Sequence, residues 1–206
     1  MSKRSIAVFA GIPVLLILGL LVLGFAALFV FRPDMLPESF RPGPPAPPAL
    51  EANALPKGFV PVVPPMQMGG LVFQDVDGNA VSVADFKGRP VLLNIWAKWC
   101  APCLEEMPKL NQLQAEVAPG TLAVLAVAVD EKDPLKVRNF LANRRWDALK
   151  PYLDPKNVFA DALKIKAIPV SLLIDKNGYA LVRVDAPVDW YSTGAIQLLK
   201  QTILTN

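Results

Sequence analysis

The only two cysteines of this 206-residue chain, Cys100 and Cys103, are separated by Ala101 and Pro102. They follow the apolar run 91–96 and precede a stretch with helical spacing, so the pair is expected at a strand-to-helix turn. Unpaired N–H groups and the dipole at a helix start stabilise negative charge on a sulfur. Cys100 is therefore predicted to be the attacking thiolate, and Cys103 is spaced to resolve the mixed disulfide that the attack forms. This pattern favours thiol–disulfide exchange.

Three other interpretations of the cysteine pair compete with exchange. A structural zinc site needs four Cys or His ligands, whereas the chain has two cysteines and no histidine. A structural disulfide across so short a loop gains only about 2 kcal/mol in the chain-entropy model, against about 4.7 kcal/mol for a loop of a hundred residues. Chance placement of two core cysteines is the third. Without histidine, haem ligation through His and a Cys-His nucleophile are also excluded within this chain, and we predict no metal and no other cofactor.

The N-terminal segment predicts a membrane anchor. Residues 6–31 form a run of 26 residues without a charge, which as a helix would reach about 39 Å against a hydrocarbon core of about 30 Å. The run is too long for the apolar core of a typical cleaved signal peptide and lacks a clear cleavage site before Arg32. We therefore predict an uncleaved anchor within residues 1–31. Lys3 and Arg4 favour a cytoplasmic N-terminus, which would place the dithiol outside.

A proline-rich segment follows the predicted anchor. Eleven of the chain's 21 prolines lie between Arg32 and Gly70. Such a sequence extends as polyproline II and acts as a semi-rigid spacer, with a ligand for a proline-recognition module as the alternative. Residues 71–206 have the size of one domain. The expected organisation is therefore an anchor over 1–31, a spacer over 32–70 and one domain to the end. The net charge of +3 is too small to indicate a nucleic-acid partner.

Apolar periodicity and turn residues predict an α/β order within the C-terminal domain. Two long apolar runs have the character of central strands covered on both faces. The expected elements, in chain order, are a β-hairpin over 71–83, a strand over 91–96, a helix from about 100 through Val117, a strand over 122–129, a helix over 134–145, a short helix over 157–163, a strand over 170–174, a strand over 179–184 and a helix over 193–204.

The run from Asn94 to Pro108 resembles the active-site stretch of the thioredoxin superfamily. More narrowly, it resembles the membrane-anchored bacterial thiol:disulfide interchange proteins of the TlpA and DsbE (CcmG) type. The similarity covers roughly residues 70–204, including the lead-in over 85–90. It implies an α/β thioredoxin-like fold with an N-terminal β-hairpin and an inserted helix, preceded here by one transmembrane helix. It also implies that Cys100 and Cys103 form the redox-active disulfide.

The resemblance implies a client-binding region around the dithiol. Ile168 and Pro169 match the loop whose proline is cis in thioredoxin-like folds, where it lies against the dithiol and offers backbone groups that pair with the substrate chain. Trp99 is expected to shield the dithiol and to offer a flat apolar contact to partners, with ordinary packing as the alternative. These three residues are the predicted substrate-binding residues.

The resemblance also implies a proton-transfer residue. Glu106 matches an acidic position of the TlpA-like branch that is thought to relay the proton of the resolving thiol, and a solvated helix-face glutamate is the alternative. Its neighbour Glu105 is expected to be a surface charge. Asn94 stands where thioredoxin itself has a buried aspartate, so this departure argues for the specialised branch. We predict Cys100, Cys103 and Glu106 as the catalytic residues.

The family places such proteins in the bacterial inner membrane, single-pass, with the thioredoxin-like domain in the periplasm. Because the periplasm is kept oxidising, a reductase there needs a membrane conduit that resupplies electrons. The expected clients are apocytochrome c before haem attachment or copper-delivery proteins of cytochrome oxidase assembly. A peroxiredoxin-like peroxidase is a rival, although peroxiredoxins have threonine three residues before the reactive cysteine, where this chain has Ala97. A non-enzymatic tethered adaptor also stays open.

Overall fold

The computed structural model describes residues 46–117 and 120–204. These residues belong to one compact unit that begins at Pro45. The predicted anchor, and the predicted spacer through residue 45, lie outside the described residues. In the described part of the chain, no helix combines the length and the apolar character that a bilayer span requires.

Eight strands of the described residues form one mixed sheet. They are β1 (Val60–Gln67), β2 (Val72–Gln74), β3 (Ala80–Ser82), β4 (Val91–Trp96), β5 (Ala123–Ala128), β6 (Tyr152–Leu153), β7 (Val170–Ile174) and β8 (Tyr179–Val184). Their order across the sheet is β1-β8-β7-β4-β5-β6-β2-β3. Strands β4 and β5 run parallel, whereas β7 runs antiparallel to both β4 and β8.

Four α-helices connect or follow these strands in the described residues, together with two short 3-10 helices over Ala52–Ala54 and Val83–Phe86. The α-helices are α1 (Ala101–Glu116), α2 (Pro134–Asn143), α3 (Val158–Ala162) and α4 (Thr193–Leu204). The predicted hairpin is present as β2 and β3, paired antiparallel with Val72 opposite Ser82. The α/β class and the thioredoxin-like order of elements are confirmed.

The central strands are buried on both faces because side chains of a strand point alternately to opposite sides of the sheet. In β4, Leu92 and Trp96 face the apolar cluster to which α1, α2 and α4 contribute. Leu93 and Ile95 face the second cluster, to which the hairpin and α3 contribute. Asn94 shares the face of Leu92 and Trp96 by the same alternation, so a polar side chain lies beneath α1.

The predicted spacer extends too far along the chain. Instead of an extended linker through Gly70, the structure has β1 paired antiparallel with β8 at one edge of the sheet. The prolines argued against a strand in the sequence, because a proline has no N–H to donate to the hydrogen bonds between strands. A sheet tolerates it only where one side of the strand is unpaired. Met68, just after β1, is fully buried in the second apolar cluster. The folded domain therefore includes residues that the composition assigned to the spacer.

Two smaller features also differ from the predicted pattern. Strand β6 was not predicted, since two residues carry no periodicity; it pairs with β5 and with β2 and so joins the hairpin to the sheet. Helix α2 ends at Asn143 rather than at 145. Arg145 has a positive φ of 59°, a left-handed conformation that cannot continue a right-handed helix.

Candidate active site

Cys100 and Cys103 lie at the start of α1, just after the turn that follows β4. Cys100 is the N-cap residue of α1, and its Sγ accepts the backbone N–H of Cys103 at 3.2 Å. A disulfide joins the two sulfurs. Cys103 is fully buried, and Cys100 is 3% exposed. The helix start therefore provides Cys100 Sγ with a backbone donor and the positive end of the helix dipole, both of which stabilise a thiolate after reduction.

The loop before β7 contacts the first sulfur. Cys100 Sγ lies 3.7 Å from the carbonyl oxygen of Ile168. The Ile168–Pro169 peptide bond is cis, as the resemblance implied. Ile168 is half-buried and Pro169 is buried. The structure thus brings this predicted client-binding loop against the dithiol.

Glu106 lies on the buried side of α1, three residues after Cys103. The residue is only 3% exposed, so it is not a solvated helix-face glutamate. Its Oε1 accepts a hydrogen bond from Asn94 Nδ2, and its Oε2 accepts the N–H of Val188 at 2.9 Å. Burial away from water raises the pKa of Glu106 to about 7, against the opposing effect of these two hydrogen bonds. A carboxyl with such a pKa can take or give a proton near neutral pH.

Asn94 links the Glu106 carboxyl to a second strand of the sheet. Its Nδ2 also donates to Ser171 Oγ at 3.0 Å, and the two residues are direct partners of the β4–β7 ladder. Asn94 Oδ1 is buried and has no partner among the described residues. Sequence reasoning missed Ser171 and Val188. Ser171 carried a signal, since it is the one polar residue in the apolar run 170–174, whereas the backbone donor of Val188 carried none.

Trp99 projects from the same edge of the sheet as the dithiol. Its side chain is 72% exposed, the most exposed large apolar side chain in the described residues. The neighbouring Lys98 is fixed to the loop after β5, because its N–H donates to Asp130 Oδ2 at 3.0 Å and its Nζ lies 2.5 Å from Glu131 Oε2. The exposure of Trp99 fits a contact surface rather than ordinary packing. Asp130 and Glu131 were not predicted.

The Redoxin family profile matches residues 50–188 of the chain. Thiol-disulfide oxidoreductase ResA of Bacillus thuringiensis is 32% identical over 114 residues, which cover 55% of this chain and 64% of that protein. Thioredoxin-like protein YneN of Bacillus subtilis is 40% identical over 106 residues, covering 50% and 60%. The chain thus spans less than two thirds of either relative. A thiol:disulfide interchange protein of the thioredoxin family from Chlorobium tepidum aligns with a TM-score of 0.55 and 25% identity, over 68% of this chain and 97% of that structure.

Proposed function

This chain belongs to the Redoxin family, and from that premise we propose that it is a thiol:disulfide oxidoreductase that reduces disulfides of client proteins. The observation that carries the proposal is the position of Cys100 Sγ. It accepts a backbone N–H of the first helical turn and lies against the carbonyl of Ile168. In this position the reduced sulfur is favoured as a thiolate and stands next to backbone that an extended client segment can pair with.

The reaction consists of two exchanges at sulfur. The thiolate of Cys100 attacks one sulfur of a client disulfide, forms a mixed disulfide with it and releases the other client sulfur as a thiolate. Cys103 then loses its proton and attacks Cys100 Sγ, which releases the second client thiolate and leaves the Cys100–Cys103 disulfide. The client disulfide gains the two electrons that the protein loses. The protein gives up one proton, that of Cys103, and the second proton of the client dithiol comes from solvent. The disulfide in the structure corresponds to the end of this cycle.

Glu106 is the proposed acceptor of the Cys103 proton. The two residues are three apart on the buried side of one helix, a spacing at which side chains are neighbours. Cys103 is fully buried, and burial in apolar surroundings raises the pKa of a thiol. A nearby base is therefore needed before Cys103 can attack. A carboxyl with its pKa near 7 meets that need, because it is partly ionised at neutral pH and can return the proton later.

The proposed setting is the periplasmic face of a bacterial inner membrane, with a single N-terminal helix as anchor. The uncharged run over 6–31 and the proline-rich residues that follow it support this setting. A membrane electron conduit would return the Cys100–Cys103 disulfide to the dithiol. The proposed clients are apocytochrome c before haem attachment or copper-delivery proteins of cytochrome oxidase assembly.

Trapping in cells tests this function. A Cys103→Ser variant keeps the attacking sulfur but cannot resolve the mixed disulfide, so clients should accumulate as adducts that a reducing gel releases. The matched control is the Cys100→Ser, Cys103→Ser double variant, which should capture nothing. Adducts that include cytochrome c or copper-delivery proteins support the proposed clients. The absence of any adduct, with cellular function retained in Cys100→Ser, would instead identify a non-enzymatic adaptor.

The redox state of the pair in growing cells tests the direction of exchange. Acid quenching followed by alkylation with a mass tag separates the dithiol from the disulfide. A mostly reduced pair means that electrons are supplied, as a reductase requires. A fully oxidised pair would contradict the reductase direction. Consumption of hydrogen peroxide by the reduced protein, lost in Cys100→Ser, would indicate a peroxidase instead.

A further inference from the structure

Asn94 is a fully buried polar residue between an ionisable side chain and a hydroxyl. Its side-chain Nδ2 donates one hydrogen bond to Glu106 Oε1 and a second to Ser171 Oγ at 3.0 Å. An amide nitrogen has two hydrogens, and both are used here. The bond to Ser171 fixes which way the amide points, because Ser171 lies directly opposite Asn94 in the β4–β7 pair.

Two features of the surroundings of the Glu106 carboxyl have opposite effects on its pKa. Oε1 faces the amide of Asn94 and Oε2 faces the N–H of Val188. Both oxygens thus meet donors, which favours the charged carboxylate, while burial favours the neutral acid. Val188 belongs to the backbone and its donor is present whatever its side chain. Of the two donors to Glu106, Asn94 is therefore the one that a substitution can remove, and its removal should favour the neutral acid over the carboxylate.

We infer that Asn94, held in orientation by Ser171, is the positioning residue that fixes the Glu106 carboxyl and hydrogen-bonds its charged form. The inference rests on the proposed function, in which Glu106 accepts the proton of Cys103. An amide suits this position because it donates to the carboxylate without adding a second charge. Ser171 lies in β7, two residues after Pro169 of the loop that precedes this strand, so the strand that follows the client-binding loop also holds the Asn94–Glu106 contact.

Other charged groups stand near Glu106 and stay unchanged when Asn94 is replaced. Glu105 and Lys109 of α1, and Asp189 of the loop after β8, line the open groove beside Glu106. Cys103 is the remaining titratable group on the buried side of this turn of α1 and forms the disulfide in the oxidised protein. From β4 and β7 the facing side chains are Asn94 and Ser171, which carry no charge.

Infrared titration of the oxidised, full-length protein measures the carboxyl directly. The carbonyl band of the protonated acid is followed against pH and is assigned to Glu106 by its loss in Glu106→Gln. In Asn94→Leu, the midpoint should rise by about one to two pH units, since a hydrogen bond to the charged form is lost. Ser171→Ala should raise it by less than one unit, and Ser171→Thr should restore it. In Asn94→Asp, two adjacent carboxyls should share one proton and titrate in two steps.

An unchanged midpoint in both Asn94→Leu and Ser171→Ala would overturn the inference. Because Asn94→Leu replaces a buried polar residue and its fold is checked by circular dichroism, Ser171→Ala provides the second, milder test. The rate of client reduction against pH is measured separately. If the infrared midpoint moves while that rate profile stays unchanged, the positioning role of Asn94 holds and the proposed catalytic role of Glu106 fails.

Discussion

Lys98 Nζ lies 2.5 Å from Glu131 Oε2, so an ion pair connects the loop that precedes the dithiol to the loop after β5. Lys136 Nζ lies 3.8 Å from the other oxygen of Glu131. The hydrogen bond from Lys98 is the main reason that the pKa of Glu131 falls to about 2. The two loops meet because β4 and β5 are parallel neighbours and end at the same edge of the sheet.

Glu131→Gln should therefore destabilise the protein in a pH-dependent way. A carboxyl with a lowered pKa in the folded state stabilises it above the unfolded pKa of about 4.3, and this contribution is lost as the pH falls through about 2. The melting temperatures of wild type and Glu131→Gln should differ most at neutral pH and converge toward pH 2. Glu51→Gln is the control, since Glu51 makes no side-chain cap bond. A difference independent of pH would refute the role of the charge.

Glu106→Gln should show the opposite dependence. The raised pKa means that the folded protein holds the proton more tightly, so the contribution of Glu106 to stability is complete below about pH 4.5 and is lost as the pH rises through about 7. Relative to wild type, the free energy of unfolding of the oxidised Glu106→Gln protein should rise by about 3 kcal/mol between pH 4 and pH 8. Urea denaturation at several pH values measures it, and a flat difference contradicts the raised pKa.

Reduction should produce two thiols of unequal reactivity. Cys100 Sγ accepts the N–H of Cys103 at the start of α1, whereas Cys103 is fully buried. We expect the pKa of Cys100 to lie below the ordinary value of about 8.5 and that of Cys103 to lie above it. Alkylation of the reduced protein against pH, read by mass spectrometry of each peptide, measures both. The unfolded reduced protein is the control, in which the two cysteines should react alike.

Met68→Ala tests whether the folded domain begins before residue 71. Loss of a fully buried methionine should cost about 2–5 kcal/mol of unfolding free energy. Val63→Ala, at a side chain that is 69% exposed, should stay within about 0.5 kcal/mol of wild type. Urea melts of both variants make the comparison. If the two variants were equally stable, the result would favour the original prediction of a spacer through Gly70.

Trp99→Ala should weaken client reduction without weakening the fold. Because the indole is exposed beside Cys100, its removal should leave the melting temperature unchanged and raise KM for a client while kcat changes little. Val72→Ala is a matched control, since Val72 is exposed on β2, which β5 and β6 separate from β4 in the sheet. A drop in melting temperature would show that Trp99 packs, and an unchanged KM would exclude it from client binding.

The sequence predicted the chemistry more fully than the contacts that support it. The spacing of Cys100 and Cys103, and the apolar runs of β4 and β5, express local rules of capping and burial and could be recognised directly. The contacts around Glu106 could not be recognised in this way. Asn94 lies 12 positions from Glu106, Val188 lies 82 positions from Glu106, and Ser171 lies 77 positions from Asn94, so these residues meet only in the folded chain. Strand β1 was missed for a related reason, since prolines argue against a strand unless its place at the edge is known.

Strand β1 also bears on how copies of this protein behave when they are close together. An edge strand normally offers a row of amide donors to which another chain can add, and this is a route to aggregation. Pro61, Pro64 and Pro65 have no backbone N–H, so three positions of β1 cannot donate to any neighbouring strand, and the register of its pairing with β8 shifts between Pro61 and Met66. The prolines that made this strand hard to predict from the sequence thus also make it a poor template for adding a strand from another molecule.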